Sequence, residues 1–165
     1  MYICEKKTVT EKKMDVTEKI KVDYDFYLKL KDYKSFQFDR INQDATEYEM
    51  LKDSIRVTLF YGKNYDDSTS YYWKHVYEKL LGFYISNETF IQAMYQLGYN
   101  MKPDDKGGRN WKFAICGQHA KKMRFFMGNG LVNERIYNTI QLNTWNDSLD
   151  NLKNMIYEKY DYKRG

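Results

Sequence analysis

The side chains of this 165-residue sequence that can do chemistry are few and widely spaced. His119 stands in the polar, basic run Gly117-Gln118-His119-Ala120-Lys121-Lys122-Met123-Arg124, where an imidazole can act as a general base beside a phosphate. The plainer reading is a lone surface histidine. His75 is followed three residues later by Glu78, the spacing of a helix-surface pair. Asp66-Asp67 and Asp104-Asp105 are loop carboxylates of the kind that take Mg²⁺, although paired Asp in a turn more often serves turn chemistry. Gly107-Gly108 lacks the strand-loop-helix context and trailing Lys-Ser/Thr of a phosphate loop. Cys4 and Cys116 are isolated and imply neither a zinc site nor a disulfide framework. These spacings give no clear catalytic motif, no metal site and no cofactor, so whether the chain is an enzyme stays open.

What remains is charge. Between Lys102 and Arg135 there are eight basic residues, Lys102, Lys106, Arg109, Lys112, Lys121, Lys122, Arg124 and Arg135, against the three acids Asp104, Asp105 and Glu134. That segment carries +5 in a chain of net charge +4, so the rest is close to neutral. A local basic excess suits an anionic partner whose phosphates release counterions on binding. The competing reading is a solvated polar sheet face in a Lys-rich protein.

The elements that must position these residues run from Asn87 to Leu142. Phe90, Ile91, Met94 and Leu97 have helical spacing and stop at Gly98-Tyr99. Three strand-like runs follow, 99–102, 111–115 and 123–126, with turn-forming Pro103 to Gly108 between the first two, and then a helix around Ile136 and Ile140. The order is α-β-β-β-α. A small antiparallel sheet with its helices on one face would bury the apolar side of each element. Alternation places Trp111, Phe113 and Ile115 under the helices and leaves Lys112 facing out.

Upstream, Ile20 to Leu30 alternates cleanly, the strongest strand signal in the chain, and Phe36-Gln37-Phe38 suits a return strand. Asp44 with Glu47 reads as a capping box opening a short helix to Lys52, followed by a strand over 55–61 and a turn over 62–67. Ser68 or Ser70 caps a helix with Tyr72, Trp73, Val76, Leu80 and Phe83 on its apolar face, and Asn146 or Asp147 caps a last helix through Leu149, Leu152, Ile156 and Tyr160. Residues 5–19, rich in Lys, Glu and Thr, read as frayed or edge-like. The expected class is α+β: a β-rich layer with a short helix over 1–66 and helices with the α-β-β-β-α unit over 67–165, in one domain. The composition, 42% hydrophobic with 17 Tyr, excludes simple disorder. No apolar run approaches the 18 residues of a membrane span, and the N-terminus has no apolar signal region, so a cytoplasmic protein is expected.

The order of short motifs also carries a resemblance. Phe90 to Lys102, then Trp111-Lys112-Phe113-Ala114-Ile115-Cys116-Gly117-Gln118, then Met127-Gly128 to Ile136 resembles the segment that follows the nuclease domain in relaxases, the mobilisation proteins of Gram-positive plasmids and conjugative transposons. The likeness covers roughly a third of the chain. Family members usually have Pro at the position of Cys116 and Tyr-Thr at Leu131-Val132, and the His-hydrophobe-His nicking motif is missing, so nicking is not implied. The same element order resembles double-stranded-RNA-binding domains and the RNA-cleaving toxins built on that fold, whose histidine motif is replaced here by Gly107-Gly108-Arg109-Asn110.

Three kinds of function follow. The first is a nucleic-acid-binding protein of a phage or plasmid. Structured RNA is preferred to DNA, because no helix shows the Arg/Asn/Gln array of a major-groove reader. A relaxase-like fragment without its nuclease suits an anti-CRISPR protein acting on a Cas9-type effector or its guide RNA, a step that rests on the resemblance alone. The second is a metal-independent ribonuclease using His119. The third is a relaxosome accessory protein that binds another protein. Exposed aromatics leave a homodimer open.

Overall fold

The computed structural model describes residues 18–128 and 139–163. The class is α+β, with six helices and a three-stranded antiparallel sheet. Helix α1 spans Tyr24–Leu30, α2 Ala45–Thr58, α3 Ser70–Leu81, α4 Asn87–Gln96, α5 Gly117–Met127 and α6 Thr139–Lys159. Strand β1 is Tyr61–Thr69, β2 Met101–Pro103 and β3 Trp111–Ile115, and the sheet order is β1-β3-β2.

The central strand β3 turns Trp111, Phe113 and Ile115 into the core, as the alternation requires. There Phe113 meets Phe90 of α4 edge-on at 5.9 Å, and Phe90 stacks on Tyr77 of α3. One continuous core takes Phe26 and Leu30 from α1, Leu51 and Ile55 from α2, Trp73 and Val76 from α3, and Leu149 and Ile156 from α6. Helix α4 begins at Ser86, whose hydroxyl accepts from Thr89 N, and stops where Gly98 takes φ +90°, a conformation that glycine adopts without strain. Helix α2 starts at Asp44, whose carboxylate accepts from Glu47 N at 3.1 Å. Glu47 does not return the bond; it accepts from Gln43 Nε2 instead, so half of the capping box forms.

Several expected elements differ. Residues 24–30 are helix, not strand: Asp23 caps Phe26 N at 3.0 Å, and Phe26 and Leu30, four apart, are buried while Tyr24 and Leu28 face solvent. Turns at 31–32 and 34–35 lead through irregular Phe36-Gln37 into a 3-10 turn at Phe38–Arg40, so there is no hairpin there. Residues 55–58 continue α2, where the Ser54 and Thr58 hydroxyls donate back to the carbonyls of Met50 and Ser54. The described part of the stretch read as a β-rich layer therefore carries helices in place of the expected strands, and strand begins only at Tyr61.

The stretch read as the turn 62–67 is β1, which supplies the third strand of the sheet. Residues 123–126, read as that third strand, lie in α5, where Ala120 and Met123 are buried one turn apart. Among the described residues the order from α4 onward is α-β-β-α-α. Neither expected serine caps α3, since Ser70 Oγ accepts from Trp111 N and Ser68 Oγ accepts from Arg124; Thr69 holds the N-cap position without a side-chain capping bond. Helix α6 runs through Asn146 and Asp147, the expected caps. Residues 1–17, which hold Cys4 and most of the stretch read as frayed, and residues 129–138, which hold Ile136, lie outside the described residues.

Candidate nucleic-acid interface

Cross-strand partners share a sheet face, so Lys102 of β2 and Lys112 of β3, directly opposite each other, both point away from the core. Lys102 Nζ lies 4.6 Å from the ring centre of Tyr65 on β1. Lys112 Nζ is 3.6 Å from Asp104 Oδ1, a long, half-exposed contact that screens little charge. This outer face thus carries two cations and an aromatic ring on the strands themselves.

The turn joining β2 to β3 extends it. Asp105 accepts from the backbone N–H groups of Arg109 and Asn110, and those bonds hold its carboxyl below the usual aspartate range. Gly108 takes φ +72° against the ring of Tyr33, Ser35 N donates to Gly107 O, and Trp111 Nε1 donates to Gly108 O. Asp105 therefore serves turn chemistry, and the loop is pinned while Lys106 and Arg109 stay exposed.

Helix α5 packs against β1 and α3, so its charged residues flank the sheet rather than join the hairpin. Arg124 donates to Asp66 Oδ2 at 2.5 Å and Ser68 Oγ at 2.9 Å, and its guanidinium lies 5.3 Å from the ring centre of Trp73. It holds α5 to β1 and is not a free cation; Asp66, in turn, is an ion-pair partner rather than a metal ligand. Lys122 is exposed with its ammonium over Trp145, and Lys121 is half-buried. Arg135 lies outside the described residues.

His119 stacks on Phe60 at 4.2 Å, and its Nδ1 is buried without a hydrogen-bond partner. Burial and the charge of Lys122 hold its pKa below the usual histidine value. A general base needs an orienting partner on its second nitrogen, which His119 does not have. The described candidates therefore divide: Lys102, Lys106, Arg109 and Lys112 share the β2–β3 hairpin, and the remaining ones do not join them.

A second group was not legible as a site. Lys74, 4% exposed, donates to Glu78 Oε2 at 3.0 Å, and His75 Nδ1 lies 2.8 Å from Glu78 Oε1. Glu78 Oε2 also accepts from Ile85 N. The Lys74 ammonium lies against the rings of Tyr71 and Tyr84. Lys74, His75 and the two tyrosines, with Arg40, Glu88 and Arg109, line a cleft of about 270 Å³. The His75–Glu78 spacing was readable, but Arg40 arrives from the 3-10 turn and had no sequence signal.

Arg124→Ala is expected to lower stability by about 2 kcal/mol, because Asp66 would be left mostly buried without its counter-ion. A thermal melt should fall by roughly 4–8 °C. Nucleic-acid affinity measured well below the transition should be unchanged; a loss of affinity with no loss of stability would return Arg124 to the interface.

None of the protein families, curated proteins or solved structures compared with the chain matches it. Among the described residues no helix is long and apolar enough to cross a membrane.

Proposed function

We propose that the protein binds the phosphate backbone of a nucleic acid through the outer face of its sheet and the β2–β3 turn, with a structured RNA duplex as the preferred ligand. The observation that carries this reading is the direct opposition of Lys102 and Lys112. Two like charges facing each other across a ladder destabilise the sheet, and the long Lys112–Asp104 contact and the Tyr65 ring offset this only in part, leaving the pair open to a further anion. Lys106 and Arg109 extend the same charge beyond the end of the strands on a pinned loop, which suits backbone contact. The aromatics of β3 are buried, so they do not form a stacking platform of the kind that single-strand binders use. In the setting implied by the relaxase resemblance, the RNA is the guide of a Cas9-type effector and the protein an anti-CRISPR inhibitor. The ribonuclease reading through His119 loses support from the stacked, partnerless imidazole.

A gel-shift titration against duplex RNA and duplex DNA at two salt concentrations tests the reading. Wild-type protein should shift intact RNA, more weakly as salt rises. Lys102→Gln with Lys112→Gln should lower affinity and reduce the salt slope by about 2, one for each phosphate contact removed. The same double variant should melt no lower than wild type, because a repulsion is removed. Absence of any shift at low salt would sink the reading.

A further inference from the structure

The cleft between α3, the start of α4 and the turn Phe38–Arg40 holds Lys74 and Arg40, which the outer sheet face does not use, and shares Arg109 with that face. The Lys74 ammonium is matched by Glu78 and two tyrosine rings. The guanidinium groups of Arg40 and Arg109 are different. Arg40 donates only Nε, to Gln37 Oε1 at 2.6 Å, and among the described residues neither guanidinium has an ion-pair partner within 4.0 Å. Two guanidinium forks at one opening match the oxygens of a phosphate group bidentately.

The wall beside them is aromatic. Tyr84 lies over Lys74 but is 67% exposed, so most of its ring is open to a planar ligand. Tyr71 stands nearby, edge-on to His75 at 4.7 Å. The carboxyl of Glu88 is buried among these groups; burial pushes its pKa up, while the charges of Arg40 and Arg109 act against that shift. At about 270 Å³ the cleft lies just below the roughly 300–1,000 Å³ typical of small-ligand pockets, a size for one small group. A larger cleft near Tyr65 and Asn100 is lined by Asp23 and Asp25 and would repel the same group.

We infer that this cleft takes one unpaired nucleotide, its phosphate held by Arg40 and Arg109 and its base laid against Tyr84. The inference deepens the proposed function and rests on it, since the nucleotide would belong to the bound RNA. Arg109 lies at the turn that continues the β2–β3 sheet face and also lines the cleft, so a duplex on the outer face has a route for a single-stranded end to enter.

The test compares a blunt RNA duplex with the same duplex carrying a short single-stranded extension, by fluorescence anisotropy. Wild-type protein should bind the extended duplex roughly tenfold more tightly, the contribution of one stacked base. Arg40→Gln and Tyr84→Ala, both at exposed positions, should abolish that preference while leaving blunt-duplex affinity unchanged, and Arg40→Gln should also leave the thermal melt unchanged. Equal affinity of wild type for both duplexes would overturn the inference and leave backbone binding intact. So would a preference that survives both substitutions, or one that free phosphotyrosine competes away and a mononucleotide does not. Failure to bind either duplex would remove the backbone reading, and the cleft assignment with it.

Discussion

Glu78→Gln is expected to destabilise the protein by about 3 kcal/mol, the lower end of what breaking a buried ion pair costs. Lys74 is 4% exposed, and Glu78 is its ion-pair partner among the described residues, at 3.0 Å. Removing the carboxylate charge leaves an ammonium in the interior with only the rings of Tyr71 and Tyr84 to favour it. The variant should melt about 6–12 °C lower than wild type. The Ile85 N–H, which donates to Glu78 Oε2, provides the internal comparison, because a glutamine oxygen can still accept from it. Adding Lys74→Met to Glu78→Gln should therefore recover most of the loss, since a buried pair replaced by apolar groups is often neutral. A double variant no more stable than Glu78→Gln alone would mean that the carboxylate acts through Ile85 or His75 instead.

Gly62→Ala is expected to cost about 3 kcal/mol or more, through backbone contact and not through side-chain packing. A Cβ at this position would lie 2.4 Å from both the carbonyl carbon and oxygen of Ile115, and 2.6 Å from Cys116 N. None of these atoms can swing aside, because Cys116 N donates to Phe60 O across the same junction. The strands would have to separate where β3 enters α5. The matched control is Gly117→Ala in the first turn of α5, where nothing lies within 4 Å of the added carbon and helix propensity favours alanine by about 0.5–1 kcal/mol. Chemical denaturation of the two variants should move the midpoint in opposite directions. Equal midpoints would mean that the sheet tolerates the separation.

Sequence periodicity identified the elements whose own residues decide their form. Helix α4 has a cap, an apolar stripe and a left-handed glycine beside it, and β3 has an alternating run whose large apolar members, Trp111, Phe113 and Ile115, all face one way. Residues 20–30 failed because alternation and four-residue spacing coincide there: Phe26 and Leu30 satisfy both patterns. The choice falls to Asp23, which is fixed by its own N–H donating to Gln92 Oε1, 69 residues away. Strand β1 was missed for the opposite reason. Tyr61 to Thr69 is polar and turn-like, and only its partner β3 makes it a strand. In α5, residues 123–126 were read as a strand, whereas they belong to a helix that ends on Gly128 at φ +88°.

The charges of the site were legible, but their pairing was not. Arg124 meets an aspartate 58 residues earlier, and Arg40 reaches its cleft by way of Ser86, whose hydroxyl donates to the Arg40 carbonyl. A linear charge excess can locate a basic segment; it cannot say which members are already neutralised.

The sheet order has a consequence in time. Strands β2 and β3 form a local hairpin, but β1 must pair with β3 across the intervening α3 and α4. Closing that long loop costs entropy before any ladder bond offsets it, so the hairpin and the helices nearest to it can assemble first. Strand β1, with its irregular register and few apolar side chains, has little of its own to hold it in the meantime. The outer sheet face, where Tyr65 meets Lys102, is therefore among the last surfaces to be completed as the chain folds, and among the first to be lost when β1 detaches.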